Sequence, residues 1–207
     1  MRFCKIVVAI TVAALLALAY WQPFAEEIRA ESVAKIFDDK GHGSAVYIGN
    51  GYFVSAAHVV GQAPVVNLLL TDGRKIKGDV LWSNTGYDIA LIKSGPLRHV
   101  EASRLSCTVP SVGDPIYAKG NPSNMDFITV YGRIAGKERS AGLWKSVVIT
   151  DIATVPGQSG GPVFDQHGRV IGITVGVMLA PSGFTRSIVG IGYVVPGRAI
   201  CELMARV

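Results

Sequence analysis

One serine stands out for its setting, in Val155-Pro156-Gly157-Gln158-Ser159-Gly160-Gly161-Pro162. A hydroxyl on such a turn has neighbours able to offer bare backbone N–H groups, the surroundings that a nucleophile beside an oxyanion hole requires. In a chain with 24 glycines the same string also fits an ordinary Gly/Ser turn, so its weight depends on company. Upstream, Phe53-Val54-Ser55-Ala56-Ala57-His58-Val59-Val60 sets His58 directly after a β-prone run and two small residues, where an imidazole can face a cleft. Further on, Gly86-Tyr87-Asp88-Ile89-Ala90-Leu91-Ile92 presents Asp88 at the mouth of a strand that reads as fully buried. A serine hydroxyl is a poor nucleophile at neutral pH and needs a base to take its proton. Imidazole suits that role, and a carboxylate on its other nitrogen fixes the tautomer and stabilises the imidazolium.

The order along the chain is His58, Asp88, Ser159, which is the chymotrypsin order and differs from that of subtilisins and of α/β-hydrolases. Further segments accompany the three residues: Gly41-His42-Gly43-Ser44-Ala45, Val112-Gly113-Asp114, Lys119-Gly120-Asn121-Pro122 and Gly190-Ile191-Gly192-Tyr193-Val194-Val195-Pro196. With these the chain resembles the trypsin-like serine proteases of the chymotrypsin clan, and within it the protease domain of the bacterial HtrA/Deg branch, here without a PDZ domain. The resemblance implies that Ser159 attacks, His58 shuttles the proton and Asp88 orients His58. The oxyanion would lie between the N–H groups of Gly157 and Ser159. It also implies an extended polypeptide substrate pairing with Thr174, Val175 and Gly176, and an S1 pocket lined by Ala153, Gly176 and Gly190. Ala153 stands where trypsin carries the aspartate that selects Lys and Arg. Gln158 stands where trypsin pairs an aspartate with a new N-terminus, so that activation switch is absent. Ile173 occupies the position at which glutamyl-specific relatives carry a histidine. The expected P1 preference is therefore for small or medium apolar side chains.

These groups need a scaffold, and the spacing of β-prone runs supplies one. Short runs at close intervals, without strand-helix alternation, predict an all-β chain of two six-stranded antiparallel barrels with a short C-terminal helix. Val33 to Phe37, Ser44 to Ile48, Tyr52 to Ser55, Val65 to Leu70, Ile76 to Trp82 and Ile89 to Lys93 read as the first barrel, within about residues 30–95. Asn50-Gly51 and Asp72-Gly73 read as its two-residue hairpin turns. The second barrel, within about residues 112–196, takes Pro115 to Ala118, Phe127 to Ile134, Ser146 to Thr150, Pro162 to Phe164, Val170 to Val177 and Ile191 to Val195. Asp165 to Gly168 reads as a turn, making His167 a turn residue. The segments 121–126, 139–143 and 178–185 read as loops, and Gly197 to Arg206 as the closing amphipathic helix. The active site would then lie in the crevice between the barrels.

Ahead of the protease domain, residues 26–207, lies an apolar segment: Arg2 and Lys5 precede a run from Ile6 to Trp21 that carries no charge. Residues 1–25 read as a signal peptide, with Ala17-Leu18-Ala19 as a cleavage site, or as a membrane anchor with Trp21 and Phe24 at the interface. Either reading sends the catalytic part outside the cytoplasm and the second attaches it to a membrane. The net charge of +5 drops by two when Arg2 and Lys5 are set aside, and the remaining Lys and Arg are scattered. No nucleic-acid footprint results; Lys75 and Lys77 read as guards of an edge strand. Of the cysteines, Cys4 belongs to the apolar segment, and Cys107 and Cys201 remain, as a disulfide or as two separate buried thiols. Proteins of the clan that the chain resembles include ones with a bridge from the interdomain linker to the C-terminal helix, and these two positions match that description. No metal-ligand spacing and no cofactor motif occurs, and the oligomeric state is not encoded in any motif. The expected function is a serine endopeptidase. A catalytically silent binding module or chaperone on the same fold is the alternative.

Overall fold

Strand β4 (Val65–Leu70) illustrates how alternation builds this protein: Val66, Leu68 and Leu70 turn inward and are buried while Val65, Asn67 and Leu69 are not. That period of two buries one face of an antiparallel sheet. In the computed structural model, which describes residues 31–39, 41–123, 125–182 and 185–206, the pattern closes two barrels. The first contains β1 (Val33–Phe37), β2 (His42–Gly49), β3 (Tyr52–Ser55), β4, β5 (Lys75–Asn84) and β6 (Ile89–Ser94). Its neighbours run β1-β2-β3-β6-β5-β4, with β1 pairing back onto β4. The second contains β7 (Pro115–Gly120), β8 (Ile128–Ala141), β9 (Trp144–Thr150), β10 (Pro162–Asp165), β11 (Val170–Ser182) and β12 (Thr185–Pro196). Its order, β7-β8-β9-β12-β11-β10, repeats that of the first. Each barrel closes on itself, while β11 runs on past its pairing with β10, which ends at Ile173. A one-turn helix α1 (Ala57–Val60) follows β3, and α2 (Gly197–Met204) follows β12.

Strand β6 shows why the sequence reads there as an unbroken apolar run. Ala90 and Ile92 enter the interior of the first barrel with Phe53 and Leu68, whereas Ile89 and Leu91 face outward into a second cluster. That cluster joins Val46 and Val54 of the first barrel to Val147, Ile173, Val175 and Val195 of the second. Both faces of the strand are therefore buried. Each such side chain contributes about 1.5–3 kcal/mol on transfer from water, so the seam between barrels is as much a core as either interior.

The structure corrects several boundaries. Asp72-Gly73 does not form a two-residue turn: Leu70 and Arg74 pair, and Thr71-Asp72-Gly73 is a three-residue loop with Gly73 at φ +87°. Glycine reaches this left-handed geometry without the clash a Cβ would bring. Asn50-Gly51 is the two-residue turn expected, with φ of 52° and 79°. The segments 139–143 and 178–185 are largely ladders and not loops. β8 and β9 stay paired up to Ala141 and Trp144, and β11 and β12 up to Ser182 and Thr185. Main-chain pairing does not require an apolar face, so the ribbons continue past the point where alternation stops reporting burial. The segment 121–126 carries no strand in its described residues. The apolar segment 1–25 lies outside the described residues; among these, no helix is long and apolar enough to cross a membrane.

The linker between barrels is irregular for most of its course. It is fixed at Leu105, which bridges Val170, and at Cys107, which forms a disulfide with Cys201 of α2 at a Cα separation of 5.7 Å. That bond closes a loop of sequence separation 94. Reduction, or Cys107→Ser, is expected to lower stability by roughly 2–5 kcal/mol in denaturant titration. At the β10–β11 turn, burial pushes the Asp165 carboxyl up. The N–H groups and guanidinium of Arg169, with the His167 N–H, outweigh that and hold it below its usual range. Its folded pKa being depressed, the stability it contributes is present above the ordinary aspartate range and is lost as pH falls through the folded value. Asp165→Ala should lower the melting temperature at neutral pH, and the gap between variant and parent should close in acid.

Candidate functional site

Asp88 ends the turn between β5 and β6 in a left-handed conformation, φ 57°, and only 7 % of its surface is exposed. A buried carboxylate must find donors, and this one has them on both oxygens. Oδ1 accepts the backbone N–H of His58 at 2.8 Å, and Oδ2 accepts His58 Nδ1–H at 2.7 Å and the indole Nε1–H of Trp144 at 3.1 Å. With Nδ1 donating, the neutral imidazole carries its lone pair on Nε2. His58 itself is the second residue of α1, where the chain leaves β3 through Ala56 and Ala57, both buried. Its side chain remains half exposed, turned toward the cleft.

Ser159 lies on the far wall of that cleft, in the turn entering β10. Gly157 has φ +97° and Gly160 φ +85°, and a Cβ at either would fall within 2.5 Å of other atoms: Asn121 O and His42 Nε2 for the first, Ser44 O and Ser55 Oγ for the second. The turn is therefore both left-handed and tightly enclosed, which explains glycine at both points. Two carbonyls leading into it are held by specific partners. Ser44 Oγ–H donates to Gly157 O at 2.8 Å, and Ser123 N–H donates to Pro156 O at 2.9 Å. Fully buried Asn121 supports this by donating N–H and Nδ2–H to Ser44 Oγ. Gln158 folds its side chain inward, where Oε1 accepts Val155 N–H at 2.8 Å. Among the described residues, neither the Gly157 N–H nor the Ser159 N–H donates to a backbone carbonyl.

A cavity of about 660 Å³ between the barrels is lined by His58, Ser159, Gly157, His42 and Asn67. The structure thus brings His58, Ser159 and Gly157 to one crevice, with Asp88 hydrogen-bonded to His58. His58 and Ser159 are not hydrogen-bonded to each other here; in unliganded sites such bonds are often long and tighten only when substrate binds. On the other side of the imidazole a second cavity, about 480 Å³, is lined by His58, Asp88, Leu143, Trp144 and Val175. Thr174 is buried, and its main chain is engaged by Gly160 and Gly161. Val175 forms a bulge in β11, and the Trp144 ring covers Gly176 at the point where a Cβ would stand. Ala153 is exposed. Gly190 is exposed with open space about its Cβ position. The glycine of β12 that lies against the segment carrying Ala153 is Gly192, in contact with Thr154 and Ile152, because the ladder registers Gly192 with Thr150. No cluster of metal-ligating side chains occurs among the described residues.

Sequence reasoning passed over Ser44, Asn121, His42 and Trp144 as site residues. Three of these stood in segments quoted for the family resemblance, so their positions carried a signal. Trp144 carried none, as an aromatic at a strand start reads equally well as packing.

Comparison with known proteins places the geometry in a family. Residues 43–173 match the model of the trypsin-like peptidase domain. The periplasmic serine endoprotease DegP of Salmonella typhimurium is 32 % identical over 171 residues, covering 80 % of this chain and 35 % of that protein. The periplasmic pH-dependent serine endoprotease DegQ of Escherichia coli is 30 % identical over 168 residues, covering 79 % and 36 % respectively. This chain thus spans about a third of the length of those relatives. Among solved structures, the HtrA-type protease AlgW with a tripeptide superposes with a TM-score of 0.74 at 28 % identity, over 84 % of this chain and 59 % of that one. On the match across most of both barrels, with two barrels in the same strand order, His58 and Ser159 at one cleft and Asp88 hydrogen-bonded to His58, the chain belongs to the trypsin-like peptidase domain family.

Proposed function

We propose that this chain is a serine endopeptidase of the HtrA type, with Ser159 as nucleophile, His58 as general base and acid, and Asp88 as the group that orients His58. The observation that carries the reading is the double clamp on His58, through N and Nδ1, at the same cleft as Ser159. Nε2 takes the Ser159 proton as Oγ attacks the scissile carbonyl. Asp88 stabilises the imidazolium without itself taking the proton. Charge on the tetrahedral oxygen is met by the N–H groups of Gly157 and Ser159. The hydrogen bonds that hold the Gly157 and Pro156 carbonyls on Ser44 and Ser123 support that assignment. The imidazolium then protonates the leaving amine, and water, activated by the same imidazole, hydrolyses the acyl-enzyme.

Substrates are extended polypeptide segments, added as a strand beside β11 from Val175 onward. The tripeptide in the solved AlgW relative supports that class. Ala153, Gly176 and Gly192 themselves carry no charge, which supports an apolar P1 residue. An extracytoplasmic location is supported by the periplasmic relatives, by the Cys107–Cys201 disulfide and by the apolar N-terminal segment.

A fluorophosphonate probe should label the protein and fail to label Ser159→Ala; a folded parent that never labels would leave only the binding-module reading. Asp88→Asn should lower kcat about 10⁴-fold, by favouring the wrong tautomer. Gly157→Ala should lower kcat about 10²–10³-fold, since its Cβ would push the oxyanion loop off Asn121 and His42. In peptide-library profiling, apolar P1 residues should dominate, and a profile led by Lys, Arg or Glu would refute the pocket assignment.

A further inference from the structure

The two residues that open β9 both reach across the seam to the turn that carries Asp88. Lys145 N–H donates to Gly86 O at 2.8 Å, and the Trp144 indole N–H donates to Asp88 Oδ2 at 3.1 Å. The carboxylate is thus held from two directions: by α1 of its own barrel through His58, and by β9 of the other barrel through Trp144. We infer that Trp144 is a positioning residue for the Asp88–His58 pair, whose indole N–H fixes the plane of the carboxylate and shares the charge on Oδ2.

The indole is itself immobilised. Its six-membered ring lies on Gly176, where a Cβ would approach Cη2 to 2.6 Å, and its rings meet the Tyr193 ring at 5.2 Å between centroids. Two independent contacts thus set the direction of the N–H. Packing alone does not account for the bond, since an indole seated on Gly176 and Tyr193 could expose its nitrogen to water instead. A hydrogen bond to a buried carboxylate is stronger than one to a neutral acceptor, and this one restricts rotation about the Asp88 side chain when His58 becomes charged. Without the donor, Asp88 still accepts both His58 N–H groups. The charge on Oδ2 is then shared only with the imidazole, favouring the imidazolium. The other ionisable groups around the pair are Lys145 and Tyr87 on the turn side, with Nζ 5.9 Å from the ring centroid, Tyr193 beside the indole, and His42 and Asp38 along the cleft.

Catalytic consequences rest on the peptidase reading above, but the contact can be read without turnover. In the full chain carrying Ser159→Ala, NMR titration of histidine-labelled protein follows His58 with Trp144 intact and with the substitution Trp144→Phe, which keeps an aromatic ring on Gly176 and removes the N–H. The His58 titration should move to higher pH in Trp144→Phe; an unchanged or lowered titration overturns the inference. If the variant does not fold, as a thermal melt would reveal, the indole Nε1–H resonance of Trp144 in the unsubstituted background should follow the His58 titration, and a flat response overturns it equally. With Ser159 present, Trp144→Phe should lower kcat about tenfold with KM within twofold, and shift the acidic limb of kcat/KM upward. A silent variant in an active parent overturns the inference, whereas an inactive parent refutes the peptidase reading and leaves the NMR outcome in force.

Discussion

The apolar seam between the two barrels is the constraint on which the site depends. Outward-facing Val46, Val54, Ile89 and Leu91 interlock with Val147, Ile173, Val175 and Val195. The groups in the cleft are distributed across that seam, His58 and Asp88 on one side and Ser159 on the other. Their separation is therefore set by side-chain packing between closed sheets, which resists deformation as any protein interior does. A loop-borne site would lack this support. Closure of each barrel matters for the same reason, because strands paired on both sides have few ways to shift register.

Polar groups in the cleft are bound by a second requirement, as an unpaired buried group costs roughly 1–3 kcal/mol. Asn121 shows how far this shapes the site. Its amide N–H and Nδ2–H both reach Ser44 Oγ, leaving that hydroxyl to donate to Gly157 O, while its own carbonyl oxygen receives His42 Nε2–H. The orientation of the Gly157 peptide thus follows from hydrogen-bond accounting several residues away. Gln158 makes the same point from inside the turn. Where trypsin uses an ion pair with a new terminus, this chain closes the loop with a side-chain amide on Val155 N–H.

Much of this architecture could be read along the chain. The alternation in β4, the doubly apolar run of β6 and the turn chemistry of Asn50-Gly51 each report a local rule: side chains on successive residues face opposite ways, and a left-handed corner admits glycine and asparagine most easily. The hairpin ribbons at the ends of β8–β9 and β11–β12 were not legible, as their pairing is made by backbone groups that every residue type carries.

The sequence by itself therefore determined the two-barrel class, the three residue types whose chemistry fits together, and the glycines of the Ser159 turn. It did so because those features are imposed by residue spacing, backbone geometry and side-chain reactivity, all of them local properties. Only the tertiary structure decided that Trp144 meets Asp88, that Asn121 governs Ser44, and that Gly192 and not Gly190 lies against residues 152–154. Those contacts join segments far apart in the chain, and no local preference specifies which distant partner a packed side chain or a ladder register will select.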